Sequence, residues 1–141
     1  MEGSRHGGMT ARVETMLDEL RASRDIRAAM AARMRRGEPI YGFGHPLYPN
    51  GDPRAVALMD LLRKRLPKSK ELEFHERVIE AGEQLLEEKP TIDMALVAAS
   101  RAMKLPRGSA LTLFALATRR AFGELGWVRV SRAPAVATPT T

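Results

Sequence analysis

His45 is the side chain of this sequence best placed for chemistry, because it lies on a glycine-rich loop shortly before a helix start. The segment from Gly42 to Ala55 reads GFGHPLYPNGDPRA. Asp52 is a typical N-cap and Pro53 a typical first helical residue, so Arg54 is predicted in the first helical turn. An imidazole and a guanidinium are thereby held near each other, as the binding of an anionic, carbonyl-bearing ligand requires. Without such a ligand, His45 is a turn residue and Arg54 a surface arginine.

A second candidate is Asp93, a carboxylate at the start of a strongly apolar predicted helix. It follows Pro90 and directly precedes the apolar run 94–99. An acid at this position is either an N-cap or first-turn residue that stabilises the helix N-terminus, or a general base. Position and composition leave both interpretations open.

The two other histidines differ in their surroundings. His6 lies in the segment Arg5–Gly8, just before the first predicted helix, whose positive end favours a neutral imidazole able to donate a hydrogen bond. If the start of the chain frays, His6 is simply exposed. His75 lies on the polar side of the fourth predicted helix, and we expect it at the surface. The three histidines lack the spacing of metal ligands, so no metal site is predicted.

Apolar residues recur with helical spacing along most of the chain, which predicts an all-α fold of about six helices. The first helix is expected after Thr10 as N-cap, and residues 37–52 are too rich in glycine and proline for regular structure. We predict one helical domain over residues 1–130 and a flexible tail over residues 131–141. The other helices are predicted at Asp25–Gly37, Asp52–Pro67, around residues 74–85, and at residues 92–103 and 109–122.

The composition is typical of a soluble globular protein. Of the 141 residues, 44% are hydrophobic and 28% charged, and none is cysteine, so disulfides and thiolate metal sites are excluded. No apolar run is long enough for a membrane span or a signal peptide, so we expect a cytoplasmic protein without membrane association. The net charge of +6 and basic clusters at residues 33–36 and 63–70 favour anionic partners, unless these clusters are only solvated helix ends.

Together these motifs resemble the citrate synthase family. The segment 42–55 matches the family's Gly-Phe-Gly-His-x-x-Tyr-x-x-x-Asp-Pro-Arg-Ala loop, and Arg5–Gly8 matches its Pro-Leu-His-Gly-Gly signature. Thr91–Asp93 is similar to the family's Asn-Val-Asp, with threonine in place of asparagine. Two further segments, Leu105–Gly108 and Leu113–Ala117, resemble the loop and helix that follow, in the same order and spacing.

The resemblance implies the family's small helical domain, which closes over a larger helical domain. It also implies the family's reaction, in which acetyl-CoA or a related acyl-CoA condenses with oxaloacetate to give citrate and CoA. A coenzyme A thioester is then a co-substrate, and no cofactor is bound permanently. Because few residues precede His6, we expect a truncated or split homologue, with a large-domain subunit or a second copy of the chain as alternative partners.

The resemblance also assigns roles to individual residues. Asp93 is the expected catalytic base, His6 the donor to the thioester oxygen, and His45 the donor to the oxaloacetate carbonyl. Arg54 is expected to bind a carboxylate of oxaloacetate. Further substrate-binding arginines are expected among Arg119, Arg120 and Arg132, and the expected coenzyme A-binding residues are Ile40, Tyr41, Gly42, Phe43, Gly44, Lys89 and Thr91.

Two other functions are compatible with the sequence. One is a non-catalytic unit that binds coenzyme A or docks on a full-length citrate synthase. The other is a basic helical nucleic-acid-binding protein, which is disfavoured because no DNA-binding helix pair and no alternation of aromatic and basic residues is visible. The acyl-CoA that would be preferred is not predicted.

Overall fold

The chain folds into helices joined by short loops. The computed structural model describes the backbone of residues 2–110, 112, 113 and 115, and side chains from residue 8 onward within those ranges. The chain divides into two units, residues 1–111 and 112–141, and all the helices named here belong to the first. They are α1 (Glu2–Arg21), α2 (Ile26–Arg35), α3 (Pro53–Arg65), α4 (Lys70–Leu86) and α5 (Ile92–Ala102).

The predicted all-α fold class is confirmed. Among the described residues the single β-type pairing is an isolated bridge between Phe43 and Pro90. The sixth predicted helix, at residues 109–122, and the predicted tail at 131–141 lie largely or wholly outside the described residues. Within the described ranges, no helix combines the length and the hydropathy needed to cross a membrane.

Side-chain caps fix three of the helix starts. At the start of α3, the Asp52 carboxylate accepts a hydrogen bond from the Arg54 amide at 3.0 Å. The Asp25 carboxylate accepts a hydrogen bond from the Ala28 amide at 3.0 Å, at the start of α2. The Ser69 hydroxyl accepts one from the Leu72 amide at 3.1 Å, at the start of α4. Each bond satisfies an amide that has no partner within its own helix. The predicted starts at Asp25 and Asp52 are therefore confirmed.

The predicted start of α1 is wrong. This helix begins at Glu2, and Thr10, the predicted N-cap, is a buried residue in its interior. The segment Arg5–Gly8 is consequently helical rather than a loop. Once the buried face of a helix has formed, each upstream residue adds one hydrogen bond, and a glycine costs only about 1 kcal/mol relative to alanine. The two glycines at positions 7 and 8 therefore do not end the helix.

Helix α5 is the centre of the core. Nine of its eleven residues are buried, and it contacts α1, α3 and α4. The facing stripe of α1 is also fully enclosed, because Val13, Met16, Leu17 and Leu20 are each at most 1% exposed. A helix that is apolar on most sides, as residues 92–103 are, is expected inside a bundle, and the burial of α5 agrees with this.

His75 is a core residue, and the prediction that it lies at the surface is wrong. Its side chain is 0% exposed, its ring contacts Phe74 edge-on at a centroid distance of 5.5 Å, and Nδ1 lies 2.9 Å from the carbonyl oxygen of Glu71. The buried face of α4 is wider than the stripe read from the sequence, since Leu72 and Ile79 are also enclosed. Burial lowers the pKa of His75 below its ordinary value of 6.5, against the opposing effect of Glu71.

The buried His75 predicts a pH-dependent stability. A histidine whose folded-state pKa is lowered binds more protons when the chain is unfolded. Its contribution to the free energy of unfolding is therefore fully present above the ordinary pKa of 6.5. This contribution is lost as the pH falls towards the pKa of the folded state. We expect the free energy of unfolding to fall between neutral pH and mildly acidic pH, by at most about 1.4 kcal/mol per pH unit. Urea denaturation of the parent and of His75→Gln tests this. The same dependence of the free energy of unfolding on pH in the two proteins would contradict this expectation.

Candidate active site

The glycine loop is joined to the start of α5 by main-chain hydrogen bonds. The Gly44 amide donates to the Lys89 carbonyl at 2.9 Å, and the Thr91 amide donates to the Gly42 carbonyl at 2.8 Å. Gly42 has a φ of +92°, a conformation that side chains rarely adopt. The loop that carries His45 is thereby held beside the first turn of α5.

Phe43 anchors the same loop in the core. Its side chain is buried, and its ring packs against the backbone of Gly82 in α4 so closely that a Cβ added there would lie 2.2 Å from Cζ. Only glycine at position 82 leaves space for this ring. The position of the loop therefore depends on a residue that lies on another element, 39 positions further along the chain.

Alanine at position 82 is expected to displace Phe43 and to destabilise the fold by about 1–3 kcal/mol through overpacking. Gly8→Ala is the matched control, since Gly8 is also helical but has no atom within 4 Å of an added Cβ. That substitution is expected to stabilise the protein by about 0.5–1 kcal/mol. Urea denaturation midpoints test both values. A Gly82→Ala variant as stable as the parent would contradict the packing argument.

Asp52 connects the starts of α3 and α5. Its carboxylate is 0% exposed and accepts four hydrogen bonds, each of 3.0 Å. Three come from Arg54, through the backbone amide, Nε and Nη2, and the fourth comes from the Ile92 amide. Burial alone would raise the pKa of Asp52, but the hydrogen bonds and the charge of Arg54 outweigh it and lower that pKa. One ionised carboxylate thus caps one helix and binds the first amide of another.

Arg54 binds Asp52 with one edge of its guanidinium. Its hydrogen bonds to Asp52 use Nε and Nη2, so the opposite edge of the guanidinium, which includes Nη1, is the edge that a ligand would approach. The side chain is 35% exposed, and its charged end lies 5.5 Å from the centroid of the Tyr48 ring. The hydrogen bonds that the guanidinium donates to Asp52 raise the pKa of Arg54, the charges of Asp52, Tyr48 and Asp93 act in the same direction, and burial opposes them.

His45 has a defined tautomer. Its Nδ1 accepts a hydrogen bond from the Leu47 amide at 3.1 Å, and a backbone amide can only donate. In the neutral ring the proton is therefore on Nε2, which becomes the donor available to a ligand. The ring also lies 4.9 Å from that of Tyr48, which in turn lies beside Arg54.

Asp93 lies in the first turn of α5, not at its N-cap. The N-cap position belongs to Thr91, whose side chain makes no capping hydrogen bond. Asp93 is only 9% exposed, far less than expected for a first-turn acid that merely interacts with the helix dipole, and its charge acts on Arg54. The geometry therefore brings Asp93, Arg54 and Asp52 into one electrostatic cluster at the meeting point of the loop, α3 and α5.

The other predicted residues have different positions. The backbone of His6 belongs to α1, but its side chain lies outside the described part of the chain, as do Arg119, Arg120 and Arg132. Lys89 is exposed and pairs with Glu83 at 3.7 Å. Ile40 is half-buried, and the Tyr41 ring lies within 6 Å of the charged ends of Arg12 and Arg33. No group of three acidic or histidine side chains within the described ranges could hold a metal ion.

Two residues beside Arg54, Asp52 and Tyr48, were missed as functional candidates by sequence reasoning. Asp52 was interpreted only as an N-cap, and its bond to Ile92, 40 positions away, has no local signal. Tyr48 was noted as part of a motif without a role. The spacing of Asp52 and Arg54 across a helix start was the available signal for their pairing, because a cap carboxylate can also reach a first-turn side chain.

Comparison with known proteins gives a consistent result. Residues 1–127 match the family model described as "Citrate synthase, C-terminal domain". A citrate synthase of Synechocystis sp. is 30% identical over 124 residues, which are 83% of this chain and 31% of that protein. A putative citrate synthase 2 of Mycobacterium tuberculosis is 47% identical over 58 residues, which are 41% of this chain and 16% of that protein.

Solved structures show the same similarity. A citryl-CoA lyase from Hydrogenobacter thermophilus matches 79% of this chain with a TM-score of 0.66 and 25% identity, and the match covers 44% of that chain. A citrate synthase from Thermotoga maritima matches 77% of this chain with a TM-score of 0.65 and 28% identity, and the match covers 31% of that chain. This chain therefore spans less than half the length of each of these similar proteins.

Proposed function

Because this chain belongs to the citrate synthase family, we propose that it carries the 2-oxo-acid-binding and proton-abstracting part of a citrate synthase-type acyltransferase. In the proposed reaction, the α-carbon of acetyl-CoA or a related acyl-CoA forms a bond to the carbonyl carbon of oxaloacetate. Hydrolysis of the thioester then releases citrate and CoA. The observation that supports this most strongly is the junction at which main-chain hydrogen bonds hold the Gly42–Gly44 loop beside the start of α5, while the Asp52 carboxylate binds both Arg54 and the Ile92 amide.

The reaction demands both a base and hydrogen-bond donors. A proton on the carbon next to a thioester is far less acidic than a carboxylic acid, so a carboxylate removes it only if the developing enolate is stabilised at the same time. In the proposal, Asp93 takes this proton, and His6 donates a hydrogen bond to the thioester oxygen. The enolate carbon then attacks the carbonyl of the 2-oxo acid.

His45 and Arg54 bind the 2-oxo acid. Since Nδ1 of His45 accepts from the Leu47 amide, the ring offers Nε2–H to the substrate carbonyl oxygen, which becomes negative as the new bond forms. Arg54 binds a substrate carboxylate with the guanidinium edge opposite Asp52. Because Asp52 holds that guanidinium before substrate arrives, less conformational freedom is lost on binding.

Coenzyme A binding is assigned to the segment that precedes His45. Main-chain groups of Ile40–Gly44 are proposed to contact the adenine, and the exposed Lys89 and the buried Thr91 lie directly across the main-chain pairing from Gly44 and Gly42. A coenzyme A thioester enters as co-substrate, and no permanently bound cofactor is proposed. The arginines at 119, 120 and 132 remain proposed substrate contacts, and a large-domain subunit or a second copy of the chain is the proposed partner that encloses the cleft.

Calorimetric titration of the full chain with oxaloacetate tests the proposal. We expect Arg54→Ala to weaken binding about tenfold or more, as the loss of a charge-assisted hydrogen bond typically does, and His45→Ala to weaken both binding and turnover. Arg63→Ala is the matched control on the same helix, because Arg63 pairs with Asp60 at 2.8 Å, away from the cluster. Oxaloacetate binding that is insensitive to Arg54→Ala would contradict the proposal.

The two alternative functions predict other results in the same experiment. A non-catalytic coenzyme A-binding unit would bind coenzyme A but show no Arg54-dependent binding of oxaloacetate and no citrate formation. A nucleic-acid-binding protein would bind duplex DNA and neither small ligand.

A further inference from the structure

A strongly basic cavity lies at the other end of the helices that start at the candidate active site. It has a volume of about 730 Å³ and is formed by the end of α3, the loop to α4, the first turn of α4 and the end of α5. Asp52 links the first turns of α3 and α5, and the last residues of both helices reach the cavity. With 13 and 11 residues, these helices separate the two places by about 15–20 Å.

Five cationic side chains line this cavity, with a single carboxylate, that of Glu71. Two of these six charges are already compensated. Arg101 pairs with Asp18 at 2.9 Å, and Glu71 pairs with Arg21 outside the cavity lining. The others, Arg65, Lys68, Lys70 and Lys104, form no salt bridge with any residue that the structure describes.

Two of the four uncompensated cations stand where the local backbone disfavours them. Lys70 is the first residue of α4, directly after the N-cap Ser69, so its charge faces the positive end of the helix. Lys104 has a φ of +60°, a left-handed conformation that glycine adopts at lower cost. A basic side chain at a helix C-terminus, such as Arg65, needs no further explanation, but these two positions oppose local preference. Such conflicts are typical of functional sites.

We propose that this cavity binds an anion with two or more phosphate groups. Concentrated positive charge in a concave site attracts anions more strongly than the same charges spread over a surface. The cavity is several times larger than one phosphate group, and four uncompensated cations match the charge of an oligophosphate better than that of a single carboxylate.

Calorimetric titration of the full chain with tripolyphosphate at physiological salt tests this inference. Lys104→Gly is the decisive variant, because it removes one cation and also replaces a strained residue with the one that best fits the backbone. We expect it to fold at least as stably as the parent and to bind tripolyphosphate about fivefold more weakly or worse, as one lost ion contact implies. Lys68→Ala, in the loop before α4, should behave similarly.

Glu87→Gly is the matched control. Glu87 also has a left-handed conformation, with a φ of +56°, at the end of α4, but it does not line the cavity. This variant also replaces a left-handed residue with glycine, so it should fold at least as stably as the parent. It should bind tripolyphosphate within about twofold of the parent. The same titration with a nucleoside triphosphate tests whether the base is recognised in addition to the phosphates. Equal affinity indicates recognition of the phosphates alone, and tighter binding indicates that Leu66 and Pro67 also hold the base.

Three results would overturn the inference. They are the absence of binding at millimolar tripolyphosphate, unchanged affinity in Lys104→Gly, and a preference for duplex DNA over tripolyphosphate. Oxaloacetate binding by Arg54 is measured separately, so failure of this site and failure of the proposed function are distinguishable.

Discussion

Replacing Asp93 with asparagine is expected to lower kcat of the condensation by about two to three orders of magnitude, as the removal of a general base does. The substitution keeps the size of the side chain and removes its ability to accept a proton. Affinity for coenzyme A should change little, because the proposed coenzyme contacts come from residues 40–44. Citrate formation measured at saturating substrates gives kcat directly.

The control for Asp93→Asn is a second acid in a first helical turn. Glu73 lies in the first turn of α4, is exposed and lies outside the cluster, so Glu73→Gln should leave turnover unchanged. If Asp93→Asn keeps condensation within about threefold of the parent, Asp93 is a helix-start acid only and the mechanism is wrong.

The second large effect is expected at Asp52. Asp52→Asn removes the negative charge that holds the guanidinium of Arg54, and places an amide nitrogen among donors that need an acceptor. We expect a loss of about 2–3 kcal/mol in the free energy of unfolding, in the range for a hydrogen-bonded charge that is buried on one side only. Oxaloacetate affinity should fall as well, since Arg54 is no longer oriented.

Asp25→Asn is the matched control, because Asp25 caps α2 but lies outside the cluster. Asparagine is nearly as good an N-cap as aspartate, so this variant should lose less than about 1 kcal/mol and leave oxaloacetate affinity unchanged. Urea denaturation and calorimetry on the two variants separate the capping role of Asp52 from its pairing with Arg54. Equal losses of stability would mean that the link between α3 and α5 contributes nothing.

Local chemistry predicted much of the fold. The sequence Asp52–Pro53 marked the start of α3, Asp25 marked that of α2, and the apolar run after Thr91 marked the buried α5, because caps and periodicity act over a few residues. The predictions for the start of α1 and for the position of His75 were wrong. The burial of His75 depends on tertiary packing, which has no local signal. The glycines near the start of α1 cost the helix too little to end it.

The candidate site, too, could be predicted only in part from the sequence. His45, Arg54 and Asp93 could be selected from motif and position, and the charge of Asp93 contributes to the raised pKa of Arg54. The bond from Ile92 to Asp52 and the packing of Phe43 on Gly82 could not be predicted, since each joins residues about 40 positions apart. His6, Arg119, Arg120 and Arg132 remain predictions, because their side chains lie outside the described residues.

The most direct test of the central claim, that this chain holds a base and the donors of a 2-oxo-acid site together, is exchange of the acyl-CoA α-protons with solvent. Acetyl-CoA is incubated with the full chain and oxaloacetate in heavy water, and deuterium incorporation into the methyl group of the unreacted acetyl-CoA is followed by NMR. We expect exchange in the parent, its loss in Asp93→Asn, and slower exchange in His6→Ala with oxaloacetate affinity retained. Exchange that is absent from the parent, or unchanged in Asp93→Asn, would contradict the claim.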